Sequence, residues 1–303
     1  MRFSVIVPTF NRPRDLARCL AALTRLNYPR DEFEVLVVDD GGSVDLETLV
    51  NAHRPSIQLK MLRQPNCGPG IARNKGAAHA AGQFLAFIDD DCAPQEGWLQ
   101  ALDSSLTRKP DALIGGSVLN GLPDNVNAVA SQHIHEFFRE HFNPDPDNCR
   151  FFPSNNIAVA AALYRQIGGF DPEFRRNAAE DRDFCDRWLR SGSRLAMAPD
   201  AFVVHCHEMS FLGFWKQHYR YGRGAFTFAT ARRQRNGGPV PFEGSSVHLN
   251  LILSPVRKSF RPMSFYLSVL IFVSQVANLI GYLMEARAFK QQRAPSGYNF
   301  ARK

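Results

Sequence analysis

The chain has 303 residues, enough for one large domain or two smaller ones, and an ordinary 45% of them are hydrophobic. A formal charge of +7 favours anionic partners such as nucleotide phosphates or acidic lipid headgroups, yet no dense Lys/Arg run or zinc-finger spacing supports nucleic acid. The six cysteines are scattered singly with no Cys-x-x-Cys pair, which argues against a disulfide framework and for reduced thiols in the cytoplasm.

Phe3 to Val7 reads as a first strand ending at Pro8, not as a signal peptide. In the turn Pro8-Thr9-Phe10-Asn11, the asparagine either caps the next helix or meets a ligand. That helix carries Leu16, Cys19, Leu20 and Leu23 on one face. Phe33 to Val38 is a second buried strand, ending in Asp39-Asp40-Gly41-Gly42, and Ile57, Leu59 and Met61 alternate as a third. Gly68-Pro69-Gly70 opens a helix predicted over 71–81, and Phe84 to Ile88 is a fourth strand. Strands alternating with helices predict an α/β fold with a Rossmann-like, mainly parallel sheet flanked by helices.

Beyond residue 110 the pattern loosens. Strands are predicted over 112–118 and 156–160, a loop over 143–148, a helix over 180–190 packing through Phe184, Trp188 and Leu189, and extended chain over 195–205. Residues 231–246 are basic, then rich in Gly and Pro, and read as a linker. Met263 to Met284 is uncharged for 22 residues, long enough to span a bilayer, but Ser264, Ser268, Ser274, Gln275 and Asn278 dilute it. Three readings stay open: an interfacial helix, a true span, and a buried or dimerising helix. The expected division is a first domain over 1–230 and a linker with a hydrophobic helical extension over 231–303.

Asp89-Asp90-Asp91 follows the fourth strand directly. Three adjacent carboxylates repel one another unless a cation compensates. The carboxyl edge of a parallel sheet is where open α/β folds bind ligands, and carboxylates there suit Mg²⁺ or Mn²⁺ carrying a phosphate. The plain alternative is a solvated loop or a helix cap.

Four segments, in order, resemble family 2 glycosyltransferases of the GT-A fold: Ser4 to Arg12, Glu34 to Gly42, Gly70 to Gly76 leading to Asp89-Asp90-Asp91, and Gly168-Gly169-Phe170-Asp171 followed by Glu180-Asp181. The resemblance covers residues 3 to about 210. It implies an inverting, metal-dependent transferase using a nucleotide-sugar donor, most simply a UDP-sugar. Pro8, Thr9 and Asn11 would contact the nucleoside, and Asp39 or Asp40 would accept a base N–H; the alternative for the pair is a turn before Gly41-Gly42. Arg73, near a helix N-terminus, would lie near the phosphates or stand as a surface arginine. Asp89 and Asp91 fit D-x-D, with Asp90 between them. Asp91 is implied as a direct ligand of Mn²⁺ or Mg²⁺, and Asp89 as a contact to ribose or to the metal. Asp181 is implied as the general base and Glu180 as its orienting neighbour, although acids also suit a helix N-terminus on dipole grounds.

His205 and His207 would share a strand face, and His205 best fits the implied metal site; a half-buried structural histidine is the alternative. Arg220 and Arg223 either gate the diphosphate or form a membrane-facing patch. The acceptor is expected to be a glycan or lipid-linked, with the protein at the cytoplasmic face of a membrane, and a homodimer is open. Two rivals stand beside this reading. A nucleotidyltransferase would need a Gly-rich, Lys/Arg-bearing loop after the first strand, where Pro8-Thr9-Phe10-Asn11 stands. A sugar-binding scaffold would have no need of both the aspartates and the base.

Overall fold

The computed structural model describes residues 1–174, 178–235, 238–239 and 244–293. Two compact units divide the chain: one of Met1–Arg176 with Glu180–Ser210, the other of Asn177–Ala179 with Phe211–Lys303.

The first unit alternates strands and helices as its hydrophobic runs dictate. In chain order it forms β1 (Phe3–Thr9), α1 (Pro13–Leu23), β2 (Phe33–Asp39), α2 (Glu47–His53), β3 (Gln58–Arg63), α3 (Pro69–Ala78) and β4 (Phe84–Ile88). There follow β5 (Cys92–Pro94), α4 (Trp98–Arg108), β6 (Leu113–Asn120), α5 (Val126–Phe142), β7 (Asn156–Ala160), α6 (Ala161–Ile167), α7 (Glu180–Arg190) and β8 (Leu195–His205). All eight strands join one sheet in the order β3-β2-β1-β4-β7-β6-β8-β5. β3, β2, β1 and β4 run parallel, the arrangement the early alternation predicts. The other half is mixed: β7 is antiparallel to both β4 and β6, β6 and β8 are parallel, and β5 is antiparallel to β8.

β1, β2 and β4 are buried along their whole length, so both faces of the sheet carry apolar side chains. The pleat sorts them. Phe3, Val5, Val7, Val35, Val37, Ala86 and Ile88 join Leu16 and Leu20 of α1 and Trp98 and Leu102 of α4 on one face. Ile6, Leu36, Val38, Leu85 and Phe87 join Ala72 of α3, Tyr164 of α6 and Phe184 and Trp188 of α7 on the other. The chain leaves β1 for β2 and β3 on one side and returns to β4 on the other. That reversal opens a crevice at the carboxyl ends of β1 and β4, the switch point where such sheets bind ligands.

The second unit is helical: α8 (Phe211–Gln234), α9 (Ser245–Lys258) and α10 (Pro262–Arg293). This unit takes in 211–230 as well, because Phe211–Gln234 is one continuous helix. Of the expected linker over 231–246, the first residues finish α8, while 236, 237 and 240–243 lie outside the described residues, as do 294–303 of the C-terminal region. α10 is long and apolar enough over Pro262–Gln291 to cross a membrane by length and composition.

Candidate active site

The acidic triplet sits in the crevice, between the end of β4 and the start of β5. Each carboxylate takes a different partner. Thr9, the last residue of β1, donates its hydroxyl to Asp90 Oδ2 at 2.7 Å. Arg12 Nη1 lies 3.3 Å from Asp90 Oδ1 and 3.0 Å from Asp91 Oδ2. Burial pushes the Asp90 carboxyl up to about 7, with Asp91 and Asp89 repelling and Arg12 and Thr9 opposing the shift.

Asp91 is buried against two imidazoles. The pairing of Cys92 with His205 sets β8 beside the triplet, and Cys206 N donates to Asp91 O at 2.8 Å. His205 Nε2 lies 3.3 Å from Asp91 Oδ1 and His207 Nδ1 2.9 Å from Oδ2. Burial would raise the Asp91 carboxyl, but hydrogen bonds from His205 and His207, with the charges of His205 and Arg12, hold it well below the usual range. Burial opposes the charged form of His205; its bond to Asp91 outweighs this and raises it. One ligand atom from each of Asp91, His205 and His207 lies within 4.8 Å of the others, a trio suited to one metal ion. A carboxylate with two imidazoles matches the ligand tastes of Mn²⁺ better than those of Mg²⁺, which prefers oxygen alone. The sequence places both histidines on one face, and His207 joins the trio beside the expected His205.

Asp89 turns away from this trio. Its Oδ1 accepts from Arg73 Nη2 at 2.6 Å, and Arg73 Nη1 lies 3.3 Å from Glu180 Oε1. Arg73 is buried, with its guanidinium over the Phe170 ring at 5.4 Å, so the surface-arginine alternative is corrected. It is the cation between Asp89 and the start of α7. Asn74 of α3 and Tyr164 of α6 fix the turn after α6, which seats the Phe170 ring under Arg73: Asn74 Nδ2 donates to Phe170 O, and Asn74 Oδ1 accepts from Phe170 N and Tyr164 Oη. Gly169 has φ +65 there, and a Cβ would meet Asn74 Oδ1 at 2.5 Å, which explains the second glycine of Gly168-Gly169-Phe170. Burial pushes Glu180 up to about 7, with Asp181 repelling and Arg73 opposing. Asp181 is raised too, chiefly by burial, while its Oδ1 accepts from Arg182 N at 2.7 Å.

At the end of β2 the two aspartates part company. Asp40 is saturated: Oδ1 accepts from Gln64 Nε2 and Cys67 N, and Oδ2 from Gly68 N at 2.8 Å, tying the loop before α3 to the strand. Asp39 Oδ1 accepts from Gly42 N, and its Oδ2 lies 3.5 Å from Arg63. Asn11 is not a helix cap. α1 begins at Pro13 after Arg12 with no side-chain cap. Asn11 has φ +56, and its Oδ1 accepts from Ser43 N at 2.8 Å and Val44 N at 3.3 Å, fastening the loop after β2. Pro8 is buried within β1, opposite Val38. Arg12 and Asn74 carry no role in the sequence reading, although both lie inside the segments that bear the resemblance.

The family model for glycosyl transferase family 2 matches residues 4–167, more than half of the chain. The chain belongs to this family. Among curated relatives, the pre-mycofactocin glycosyltransferase of Mycobacterium tuberculosis is 29% identical over 83% of this chain and 52% of its own length. The glycosyltransferase AglE of Haloferax volcanii is 27% identical over 73% of this chain and 72% of its own. The chain thus spans about half the length of the first of these relatives. Among solved structures, the mannosyltransferase PcManGT of Pyrobaculum calidifontis, in complex with GDP-Man and Mn²⁺, superposes with a TM-score of 0.64 at 19% identity, covering 96% of this chain and 87% of that one. TarS 1-349 of S. aureus in complex with UDP-GlcNAc gives 0.60 at 18% identity, covering 96% and 92%. At these identities the likeness establishes the GT-A fold.

In α8, Arg223 Nε pairs with Glu285 Oε2 of α10 at 2.6 Å, and Arg220 is exposed.

Proposed function

We propose that this chain transfers a sugar, with inversion, from a nucleotide-sugar to a hydroxyl of a glycan or lipid-linked acceptor. The observation that carries the reading is the Arg73 bridge. One buried guanidinium joins Asp89, beside the metal-competent trio, to Glu180, beside Asp181. Donor-side and base-side groups are thereby held within one cluster.

The roles follow from the chemistry of each group. Asp39, one oxygen of which lies 3.5 Å from the exposed Arg63, accepts an N–H from the nucleoside base, most simply uracil, while Asp40 holds the loop. Thr9 and Pro8 line the nucleoside side, and Asn11 shapes it through the 43–44 loop. Asp91, His205 and His207 would hold Mn²⁺ or Mg²⁺, which neutralises diphosphate charge when bound. Asp181 takes the proton from the acceptor hydroxyl. The oxygen attacks the anomeric carbon in line, and the sugar–phosphate bond breaks with its electron pair leaving on the nucleoside diphosphate. A single displacement inverts the anomeric centre, and the raised Asp181 carboxyl is a stronger base than an ordinary aspartate. Glu180 and Arg73 position it.

The test is thermal stability against nucleoside diphosphates and nucleotide-sugars with and without Mn²⁺, followed by NMR of the product's anomeric proton. A Mn²⁺-dependent rise with one nucleotide, absent in Asp91→Asn, together with an inverted product supports the reading. A retained anomeric configuration, or a shift that survives Asp91→Asn, refutes it.

A further inference from the structure

α10 turns a long apolar stripe to the surface. Phe265, Val269, Phe272, Leu279 and Leu283 are each more than half exposed, at 51%, 57%, 55%, 57% and 56%. Their spacing of four, three, seven and four residues places them on one stripe of the helix, with half-buried Val276 filling the gap. From Phe265 to Leu283 the stripe runs about 27 Å at 1.5 Å per residue. The polar side chains that dilute this segment lie elsewhere. Ser264 and Ser274 are buried, and Gln275 Oε1 lies 2.9 Å from His248 Nδ1 of α9. An apolar stripe of this length left exposed, on a helix whose packed side already buries Leu270, Ile271 and Ala277 beside the two serines, marks a surface that meets something other than water.

Charge identifies the occupant. Arg257, Lys258 and Arg261 precede the stripe and Arg287 and Lys290 follow it, all exposed. Over residues 245–293 the sole acid is Glu285, which Arg223 already engages. A second copy laid along the stripe in either direction would set cations against cations, because both ends are basic. Anionic headgroups complement both ends at once.

Packing decides the orientation. The backbones of α8 and α10 meet at two glycines: a Cβ on Gly222 would strike Asn278 O at 1.8 Å, and one on Gly281 would strike Tyr219 O at 2.0 Å. α8 carries Lys216, Arg220, Arg223, Arg232 and Arg233, so a spanning α10 would draw a charged helix into hydrocarbon. We propose that α10 lies in the plane of an anionic bilayer, its stripe immersed in the acyl boundary and its flanking cations on the headgroups. This surface does not rest on the transfer reaction.

The test is co-sedimentation of the full chain with vesicles of phosphatidylcholine alone or with about one-third phosphatidylglycerol added, at low and high salt. The wild type pellets with the anionic vesicles, and salt weakens the binding. Phe272→Ser/Leu279→Ser/Leu283→Ser, with unchanged circular dichroism and melting temperature, loses at least about a hundredfold in partitioning. Arg257→Gln/Lys258→Gln/Arg261→Gln loses on the order of a hundredfold on anionic vesicles alone. Equal partitioning of the serine variant, or no partitioning of the wild type, overturns the proposal. So does a stable dimer in ultracentrifugation that the serine variant dissociates, which would put a second copy on the stripe. A nucleotide-dependent thermal shift that persists in either case shows that the transfer reading stands separately.

Discussion

Arg73→Met removes the cation from the centre of the site while keeping an unbranched side chain of similar reach. In the wild type this buried guanidinium faces Asp89 at 2.6 Å and Glu180 at 3.3 Å, with side-chain exposures of 32% and 12%. Truncating one partner of a buried ion pair costs about 3–5 kcal/mol, and the partial exposure of Asp89 puts the cost here near about 3 kcal/mol at pH 8. The cost depends on pH in a stated direction. Glu180 is already pushed up to about 7 by burial, and losing Arg73 moves it higher still. A carboxyl raised in the folded state favours folding only while protonated. Its contribution is complete below the unfolded pKa of about 4.3 and is lost as pH rises through the folded pKa. The Arg73→Met penalty is therefore small near pH 5, about 1 kcal/mol, and grows as pH rises past about 7. Urea denaturation of both proteins across that range measures it. Adding Glu180→Gln removes the more buried of the two stranded carboxylates and recovers part of the loss at pH 8, while Asp89 stays unpaired by Arg73. A penalty below about 1 kcal/mol at pH 8, or one that does not vary with pH, would refute the claim that this arginine is the resident counter-charge.

Three other outcomes are expected. The acid limb of kcat/KM for transfer lies above the ordinary aspartate range, because activity rises as the raised Asp181 carboxyl deprotonates; the limb disappears with the activity in Asp181→Asn, and a limb near the unperturbed value would remove Asp181 from the base role. Asp40→Asn lowers stability by about 2 kcal/mol in chemical denaturation, because an amide cannot accept from Gln64, Cys67 N and Gly68 N together. Gly116→Ala costs about 1–3 kcal/mol, since its Cβ would meet Ala201 O and Asn156 Nδ2 at 2.3 Å, while Gly97→Ala, with its nearest neighbour at 4.0 Å, leaves the melting temperature unchanged.

The strands were readable where burial on both faces makes an unbroken apolar run. β4 and β7 and the helix α7 fall on the residues their patterns predict. α4 carries Trp98, Leu99, Leu102 and Leu106 at helical spacing, a local signal as plain as that of α1. α5 buries mainly small and polar residues, Ala128, Ala130, Ser131 and Gln132, so its periodicity in hydrophobicity is faint. The antiparallel seating of β7 between β4 and β6 leaves no local trace, because strand order is set by pairings across the chain. The site divides in the same way. Residue types at strand ends point to the aspartates and to His205. Which cation faces which carboxylate depends on side-chain direction, so Arg12 on Asp91 and Arg73 on Glu180 emerge only in three dimensions. The serines of α10 likewise look like dilution in sequence and become informative once they lie on the packed side.

The triplet that marks this chain poses an electrostatic problem, and the fold solves it by separation. Three adjacent carboxylates at one strand end would each be driven toward protonation by burial and by the other two. Here the chain directs them apart. Asp89 reaches back to the arginine of α3, Asp90 turns to the Thr9 hydroxyl and Arg12, and Asp91 faces two histidines of the strand end opposite. Asp91 is held well below the ordinary range, whereas Asp90, with one hydroxyl and a shared guanidinium, is pushed up to about 7. The three aspartates are therefore chemically distinct despite being consecutive. Asp91 is an anion suited to a cation, Asp90 is a carboxyl that titrates near neutrality and ties β1 to β4, and Asp89 is the anchor of the arginine that reaches Glu180. Replacing any one by asparagine tests a different function of the crevice, which is why the middle aspartate, outside the D-x-D pair, is as much a part of the site as its neighbours.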